Sequence, residues 1–287
     1  MNASVGAAAV AVPPRNPTLA APLRQPLAQR VLRMTAAFWF AVAALGQLIF
    51  ATYIAGFYGR ATLGGHPEWW NQVMPHGYVA GDRFFNGVLG LHLAFAFLIT
   101  LGGLLQLLPA LRRTLPAFHR WTGRVYVVSA ALMAIGGLTM VWGRGAVGDF
   151  PQHLAISLNA VLILTCAALA WRHARARRHD RHRRWALRLF LCVSGVWFFR
   201  VGLMGWIVIN QGPVGFDPER FSGPFLTVLA FAVYAIVPLG VLELYLRAQH
   251  SRRDGAKFAM AGVLTALTLA MAVGVASATA LMWLPRL

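Results

Sequence analysis

Long apolar runs, separated by charged or turn-rich segments, dominate the chain. Seven of these runs are long enough to cross a bilayer as helices, which takes about 20 mostly apolar residues. They cover residues 34–56, 86–109, 122–142, 153–171, 185–209, 224–246 and 258–283. The pattern therefore predicts an all-α, polytopic membrane protein with about seven transmembrane helices, in a bundle that extends over residues 34–285.

The composition agrees with a lipid environment for most of the chain. Hydrophobic residues make up 58% of it and charged residues only 12%, whereas a soluble domain carries about 25% charged residues. Residues 1–33 differ, because they hold five prolines, which oppose regular structure, and four arginines. We predict a disordered, basic tail for this segment.

Basic residues are distributed unevenly among the segments that flank the apolar runs. Twenty of the 26 Lys and Arg residues lie in the tail and in residues 110–124, 172–188 and 247–257. Seven alternating spans place these four segments on one face, which the positive-inside rule makes cytoplasmic together with the N-terminus. Anionic lipid head groups are the expected contacts of the arginines, so the net charge of +18 does not predict a nucleic-acid partner. The preference for arginine over lysine is typical of GC-rich bacteria and predicts a bacterial plasma (inner) membrane.

An internal repeat marks residues 86–210 as a duplicated four-helix core, with helices one, six and seven around it. The second run contains His92-Leu-Ala and the fourth opens with His153-Leu-Ala. His119-Arg-Trp precedes the third run and His182-Arg-Arg-Trp precedes the fifth. The two histidines of each unit are 27 and 29 residues apart, so helices two and three resemble helices four and five.

The repeated histidines predict a haem protein. Alternating topology places His92 and His153 near the outer face, and His119 and His182 near the cytoplasmic face. Two histidines that face each other across a bundle can supply both axial nitrogens of a haem iron. We therefore predict one or two b-type haems with these four residues as iron ligands. Interfacial histidines that face lipid phosphates remain the alternative, above all for His119 and His182, which lie at the membrane edge unless their helices begin a turn earlier.

Three other polar features lie within or beside the runs. Arg200 lies inside the fifth run, and an intramembrane cation usually faces the bundle interior with a partner, such as a haem propionate, a carbonyl, a lipid phosphate or water. Glu243 is expected to pair with Arg247 one turn on. Gln106 and Asn159 are expected to form hydrogen bonds between helices.

The histidine motifs also carry a resemblance to a known family. Residues 92–94, residues 118–126 (Phe-His-Arg-Trp-Thr-Gly-Arg-Val-Tyr) and residues 182–188 resemble a bacterial family of predicted membrane proteins of unknown function, over roughly residues 66–246. The four-helix arrangement is similar to that of the ascorbate-reducible b-type cytochromes, which pass electrons across a membrane through two haems. This similarity implies one haem between His92 and His153 and another between His119 and His182.

The leading hypothesis is therefore transmembrane electron transfer, with a redox protein or a quinone-like small molecule as partner. A transporter or permease is one alternative, although transporters usually contain broken helices near the midplane, and the sequence shows no pair of Pro/Gly-interrupted helices in matching positions. A cofactor-free assembly or scaffold protein is the other. The aromatic outward loop, residues 57–85, is expected to form an interfacial belt or a cap, or else a lid over an outer site.

Overall fold

The computed structural model of the chain describes residues 26–74, 77–145 and 148–287, so residues 1–25, most of the predicted tail, lie outside the described residues. Within these ranges the chain is helical, and we number the long helices in chain order. They are α1 (Leu27–Leu63), α2 (Arg83–Leu107), α3 (Pro116–Gly145), α4 (Phe150–Arg175), α5 (His179–Val193), α6 (Gly195–Ile209), α7 (Pro224–His250) and α8 (Asp254–Arg286). Two short helices, Pro67–Gln72 and Pro109–Thr114, lie in the connections.

The prediction of an all-α membrane bundle is confirmed. Six of the described helices are long and apolar enough to cross a membrane, and the fifth span is the bent pair α5–α6. Each of the seven predicted runs corresponds to one of these spans. Large apolar side chains also point away from the bundle, including Ile135 (53% exposed), Val161 (54%) and Leu269 (55%). Such a surface is suited to lipid and not to water.

Local sequence signals set where the helices begin. Asp82 and Asp149 cap α2 and α4, each accepting a hydrogen bond from a backbone N–H in the first turn. Pro116 stands at the first turn of α3, where its missing N–H costs nothing. Helix α3 therefore begins six residues before the predicted run; α5 also begins six residues early and α1 seven residues early. His119 and His182 consequently lie inside helices.

Four of the spans change to π-helical geometry near one end or in the middle. The π segments are Ile54–Gly59 in α1, Val141–Gly145 in α3, Ala232–Ile236 in α7 and Thr279–Trp283 in α8. Segments of this type frequently occur at functional sites. The π segments of α1 and α3 contribute Ile54, Tyr58, Val141 and Arg144 to the lining of the cavity described in the next subsection.

The fifth span is broken at Ser194, where α5 and α6 meet at an angle of 47°. The Ser194 hydroxyl donates a hydrogen bond to the Phe190 carbonyl oxygen (2.8 Å), a contact that often bends helices. The Gln47 side-chain amide of α1 donates to the same hydroxyl (3.0 Å). The break lies halfway along the span, so a polar contact between two helices is placed deep in the bundle.

Arginine-rich segments gather at one end of the bundle, which we call the Arg-rich end, and we call the other end the Arg-poor end. Arg33 at the start of α1 and Arg183 at the start of α5 both lie within electrostatic range of Tyr245 near the end of α7. At the Arg-poor end, Arg60 donates a hydrogen bond to the Leu287 backbone (2.7 Å). The structure therefore brings the predicted basic segments that it describes to one face.

The predicted ion pair between Glu243 and Arg247 is wrong. The Glu243 carboxylate of α7 instead accepts hydrogen bonds from Nε (3.0 Å) and Nη2 of Arg188 on α5. The pair is half-buried, with 20% of the Arg188 side chain and 40% of the Glu243 side chain exposed. It therefore connects α5 to α7. The spacing of residues along a single helix cannot predict a contact of this kind.

Breaking this pair is expected to destabilise the bundle. Glu243→Gln removes the charge that Arg188 faces, and we expect the free energy of unfolding to fall by about 1–2 kcal/mol, since the pair is only partly desolvated. Thermal unfolding in detergent measures the change. Glu219→Gln, which removes the same charge from an exposed loop, is the control. Equal melting temperatures for the two variants would show that the pair contributes nothing.

Candidate functional site

A cavity of about 340 Å³ lies inside the bundle, between α1, α2, α3, α4 and the broken span α5–α6. Ligand pockets usually measure about 300–1,000 Å³. Most of its walls are apolar or aromatic. Its polar lining is small and convergent, consisting of Gln47, Tyr53, Tyr58, His92, Thr100, Tyr126, Arg144, Asn159, Ser194, Trp197 and Arg200.

His92 lines this cavity from α2. Its ring rests against two glycines of α3, because a Cβ atom added at Gly136 or Gly137 would lie 3.9 Å or 3.7 Å from the imidazole. The Nδ1 atom is buried and has no hydrogen-bond partner within the described residues. A buried imidazole nitrogen without a partner costs free energy. The ring is therefore held in place but chemically unsatisfied.

Arg200 lines the same cavity from α6. Its guanidinium donates to its own helix at the Val196 carbonyl oxygen (3.3 Å) and lies 5.7 Å from the centroid of the Phe50 ring. None of the ion pairs found in residues 26–74, 77–145 and 148–287 includes Arg200. A cation inside a membrane protein usually faces a partner. The cavity can therefore accept a ligand that bears an anionic or carbonyl oxygen.

The structure places the second predicted outer histidine elsewhere. His153 is not among the residues that line the cavity. Its ring instead meets the Trp142 ring, with centroids 6.2 Å apart, and Trp142 is 54% exposed and donates a hydrogen bond to Ser157. The structure therefore does not bring His92 and His153 together in one cavity.

Depth along the helices explains this separation. His92 lies nine residues after Arg83, the first residue of α2, whereas His153 lies only three residues after Phe150, the first residue of α4. At 1.5 Å per residue the difference is roughly 9 Å. The residue of α4 at the depth of His92 is Asn159.

Asn159 lines the cavity and is 3% exposed. Its Oδ1 atom has no hydrogen-bond partner among the residues that the structure describes. The predicted bond between helices is therefore not formed by this oxygen, which adds an acceptor to the cavity region. The prediction for Gln106 is confirmed, since its amide donates to Thr122 of α3 (2.6 Å).

The second predicted histidine pair is matched in depth. His119 lies three residues after Pro116 and His182 lies three residues after His179, at the Arg-rich ends of α3 and α5. The two rings lie within electrostatic range of each other. Nδ1 of His182 is 2.9 Å from the Ala170 carbonyl oxygen, which can only accept, so Nδ1 donates this hydrogen bond. This is the arrangement in which proteins usually hold a ligating histidine.

Sequence reasoning missed two parts of the site. Tyr53 and Tyr58 of α1 line the cavity, although helix one was expected to lie outside the core. His173, near the end of α4, is buried and lies within electrostatic range of His182. Gln47 also lines the cavity and was missed, although a polar residue inside an apolar run was an available signal for it.

Part of the outward loop closes the cavity at the Arg-poor end. Met74 and Gly77 line the cavity, and the Trp70 ring packs beside Gly90 of α2. Trp70 is only 4% exposed, so the loop is a cap on the bundle and not only an interfacial belt.

Arg144, at the end of α3, ties this cap to the start of α2. Its guanidinium donates to the Gly77 carbonyl oxygen (2.8 Å) and to Asp82 (2.6 Å). The Phe85 backbone N–H, together with Arg144, holds the pKa of Asp82 below its ordinary value. The cap is therefore held by a charge that persists in mild acid.

This shift sets a pH dependence for the cap. Because the pKa of Asp82 is lower in the folded state, the stabilisation is present above the unfolded value of about 3.9 and is lost as the pH falls through the folded value. We expect the difference in melting temperature between wild type and Asp82→Asn to stay constant from pH 7 to pH 5 and to shrink below about pH 4. Thermal unfolding in detergent across this range is the measurement. A difference that changed between pH 7 and pH 5 would mean that a group other than Asp82 titrates in this range and affects the contact between Arg144 and Asp82.

No three His, Cys, Asp or Glu side chains of the described residues converge in a way that could hold a metal ion by themselves. The site is thus a largely apolar cavity inside a helical membrane bundle, lined by one imidazole, that of His92, and by the guanidinium groups of Arg144 and Arg200. The fold and the cavity together define an all-α, polytopic membrane protein with a cavity inside its helical bundle.

Comparison with known proteins places the chain more narrowly. Residues 89–242 match the model of a family described as "Predicted membrane protein (DUF2306)", and the chain belongs to this family. The matched segment contains all of the predicted haem ligands and Arg200. No curated protein and no solved structure matches the chain.

Proposed function

We propose that this membrane protein carries electrons within the bilayer by means of b-type haem, with the His92 cavity as the first haem site. The observation that carries the proposal is the unsatisfied imidazole of His92 in a cavity that also contains the uncompensated cation Arg200. These residues fit one axial ligand and one propionate partner. They do not fit the bis-histidine site expected from His92 and His153.

Different side chains of the cavity would contact different parts of such a cofactor. His92 supplies the nitrogen ligand, and the two glycines behind it fix the orientation of its ring. Arg200 neutralises a carboxylate, and the apolar walls exclude water. Met74, Met133 and Met140 also line the cavity, and a methionine thioether is a known axial ligand of haem iron. When bound, the haem would supply one-electron chemistry, which no side chain of the cavity provides.

A second haem is proposed at the Arg-rich end, between His119 and His182. Equal depth in their helices, mutual proximity and the hydrogen bond from Nδ1 of His182 to the Ala170 carbonyl oxygen support this pairing. We also propose that the Arg-rich end and the N-terminus lie in the cytoplasm of a bacterial cell, with the bundle in the inner membrane. A quinone-like small molecule or a redox protein is the proposed electron partner.

Spectroscopy on the purified protein tests this function. Wild-type protein produced with ample haem should show a Soret band that shifts on reduction with dithionite, and a haem assay should give one or two haems per chain. Colourless protein from the same preparation would overturn the proposal. It would leave the cofactor-free scaffold as the simplest account, since that function needs no bound group.

A transport function is the second candidate, and the break at Ser194 favours it. The broken span lies beside the cavity at mid-depth, which is the arrangement that secondary transporters use. The sequence did not predict this break, because Ser-Gly is a weak signal inside an apolar run. Proteoliposomes of haem-free protein that take up small carboxylates, with Arg200→Leu as the inactive variant, would support transport.

A further inference from the structure

A long apolar groove lies on the other side of the broken span from the His92 cavity. Its volume is about 680 Å³, and α1, α5, α6, α7 and α8 form its walls. Phe190 lines both spaces and separates them. Neither His92 nor Arg200 touches the groove, so what binds there is independent of the haem proposal.

The groove runs along most of the bundle. Along α7 it extends from Phe225 to Tyr245, which is about 30 Å at 1.5 Å per residue. This length equals the thickness of the hydrocarbon core of a bilayer, about 30 Å, so the groove is long enough for an extended acyl chain.

The charge at one end of the groove indicates which charge the occupant carries there. Arg183 is the single charged residue of the lining, and it lies at the Arg-rich end beside Tyr245. Arg33 lies within electrostatic range of the same tyrosine. All remaining lining side chains are apolar or aromatic. An occupant must therefore combine a hydrocarbon chain with a negative group at that end.

We propose that this groove is a binding site for an anionic phospholipid, with one acyl chain between α6, α7 and α8 and the phosphate at Arg183. The site differs from general attraction to the basic surface, because it depends on one arginine and on the open space beneath it. A neighbouring arginine that does not line the groove should therefore contribute less.

Native mass spectrometry of the full chain tests this proposal with phosphatidylglycerol and phosphatidylcholine of identical acyl chains. Wild type should retain phosphatidylglycerol preferentially, and Arg183→Gln should lower that retention about fivefold. Arg184→Gln, which removes the same charge from the adjacent exposed position, should change it less than twofold. Ala270→Phe, which fills the groove at an exposed position, should lower the retention of both lipids.

Three results would overturn the proposal. Equal losses from Arg183→Gln and Arg184→Gln would reduce it to general surface attraction. Unchanged retention in Ala270→Phe would mean that the groove holds no chain. A dimer that Ala270→Phe dissociates would assign the groove to a second copy of the protein. Haem content measured on the same samples should be unaffected, which separates this site from the His92 cavity.

Discussion

Replacing His92 with alanine is expected to remove one haem per chain, whereas replacing His153 with alanine leaves the haem content unchanged. His92 lines the cavity with its Nδ1 unsatisfied, while His153 stacks edge-on against an exposed tryptophan outside it. Loss of an axial ligand should weaken haem binding by at least about tenfold, since even the loss of residues that orient a ligand costs 10–100-fold. Haem content and the Soret absorbance of the purified variants measure the effect.

Imidazole rescue gives this experiment its control. The His92→Ala variant leaves a ring-sized space against Gly136 and Gly137, so added imidazole should restore part of the absorbance. Folded, monodisperse protein that lacks haem and regains it with imidazole identifies His92 as a ligand. If His153→Ala lost the haem and His92→Ala kept it, the proposed site would be wrong.

Replacing Gly274 with alanine is expected to cost about 3 kcal/mol of stability, near the upper end for overpacking. A Cβ atom at this position would lie 2.6 Å from Cγ1 of Val201 and closer still to the Val201 carbonyl oxygen. The backbone cannot rotate away as a side chain could. One turn further along α6, a Cβ atom at Gly205 would lie 3.2 Å from Cα of Gly274, so the backbones of α6 and α8 touch here.

Gly262 provides the matched control, because it lies on the same helix and has no atom within 4 Å of its added Cβ. Gly262→Ala should be neutral or stabilising by up to about 1 kcal/mol, because alanine favours helix over glycine. Unfolding in mixed detergent, followed by circular dichroism, compares the two variants. Equal stabilities would show that α6 and α8 can separate without cost.

The histidine repeat shows which structural features internal sequence similarity predicts and which it does not. It predicted two comparable hairpins, and the early helix starts place His119 and His182 each three residues into its helix. It aligned His92 with His153, but the two helices begin at different distances from these residues. The offset of six residues turns His153 away from the cavity and brings Asn159 into it. Helix boundaries depend on caps and packing, so the repeat alone could not fix this depth.

The sequence by itself determined the class of protein, because apolar runs of this length need the hydrocarbon core of a bilayer around them. The segregated arginines also define two faces of the bundle. Only the tertiary structure decided which polar side chains meet. The pairing of Glu243 with Arg188, the break at Ser194 and the cavity that joins His92 to Arg200 all depend on contacts between helices distant in the chain. Periodicity along one helix specifies which face is apolar, but the partner of each face is set by how the helices pack.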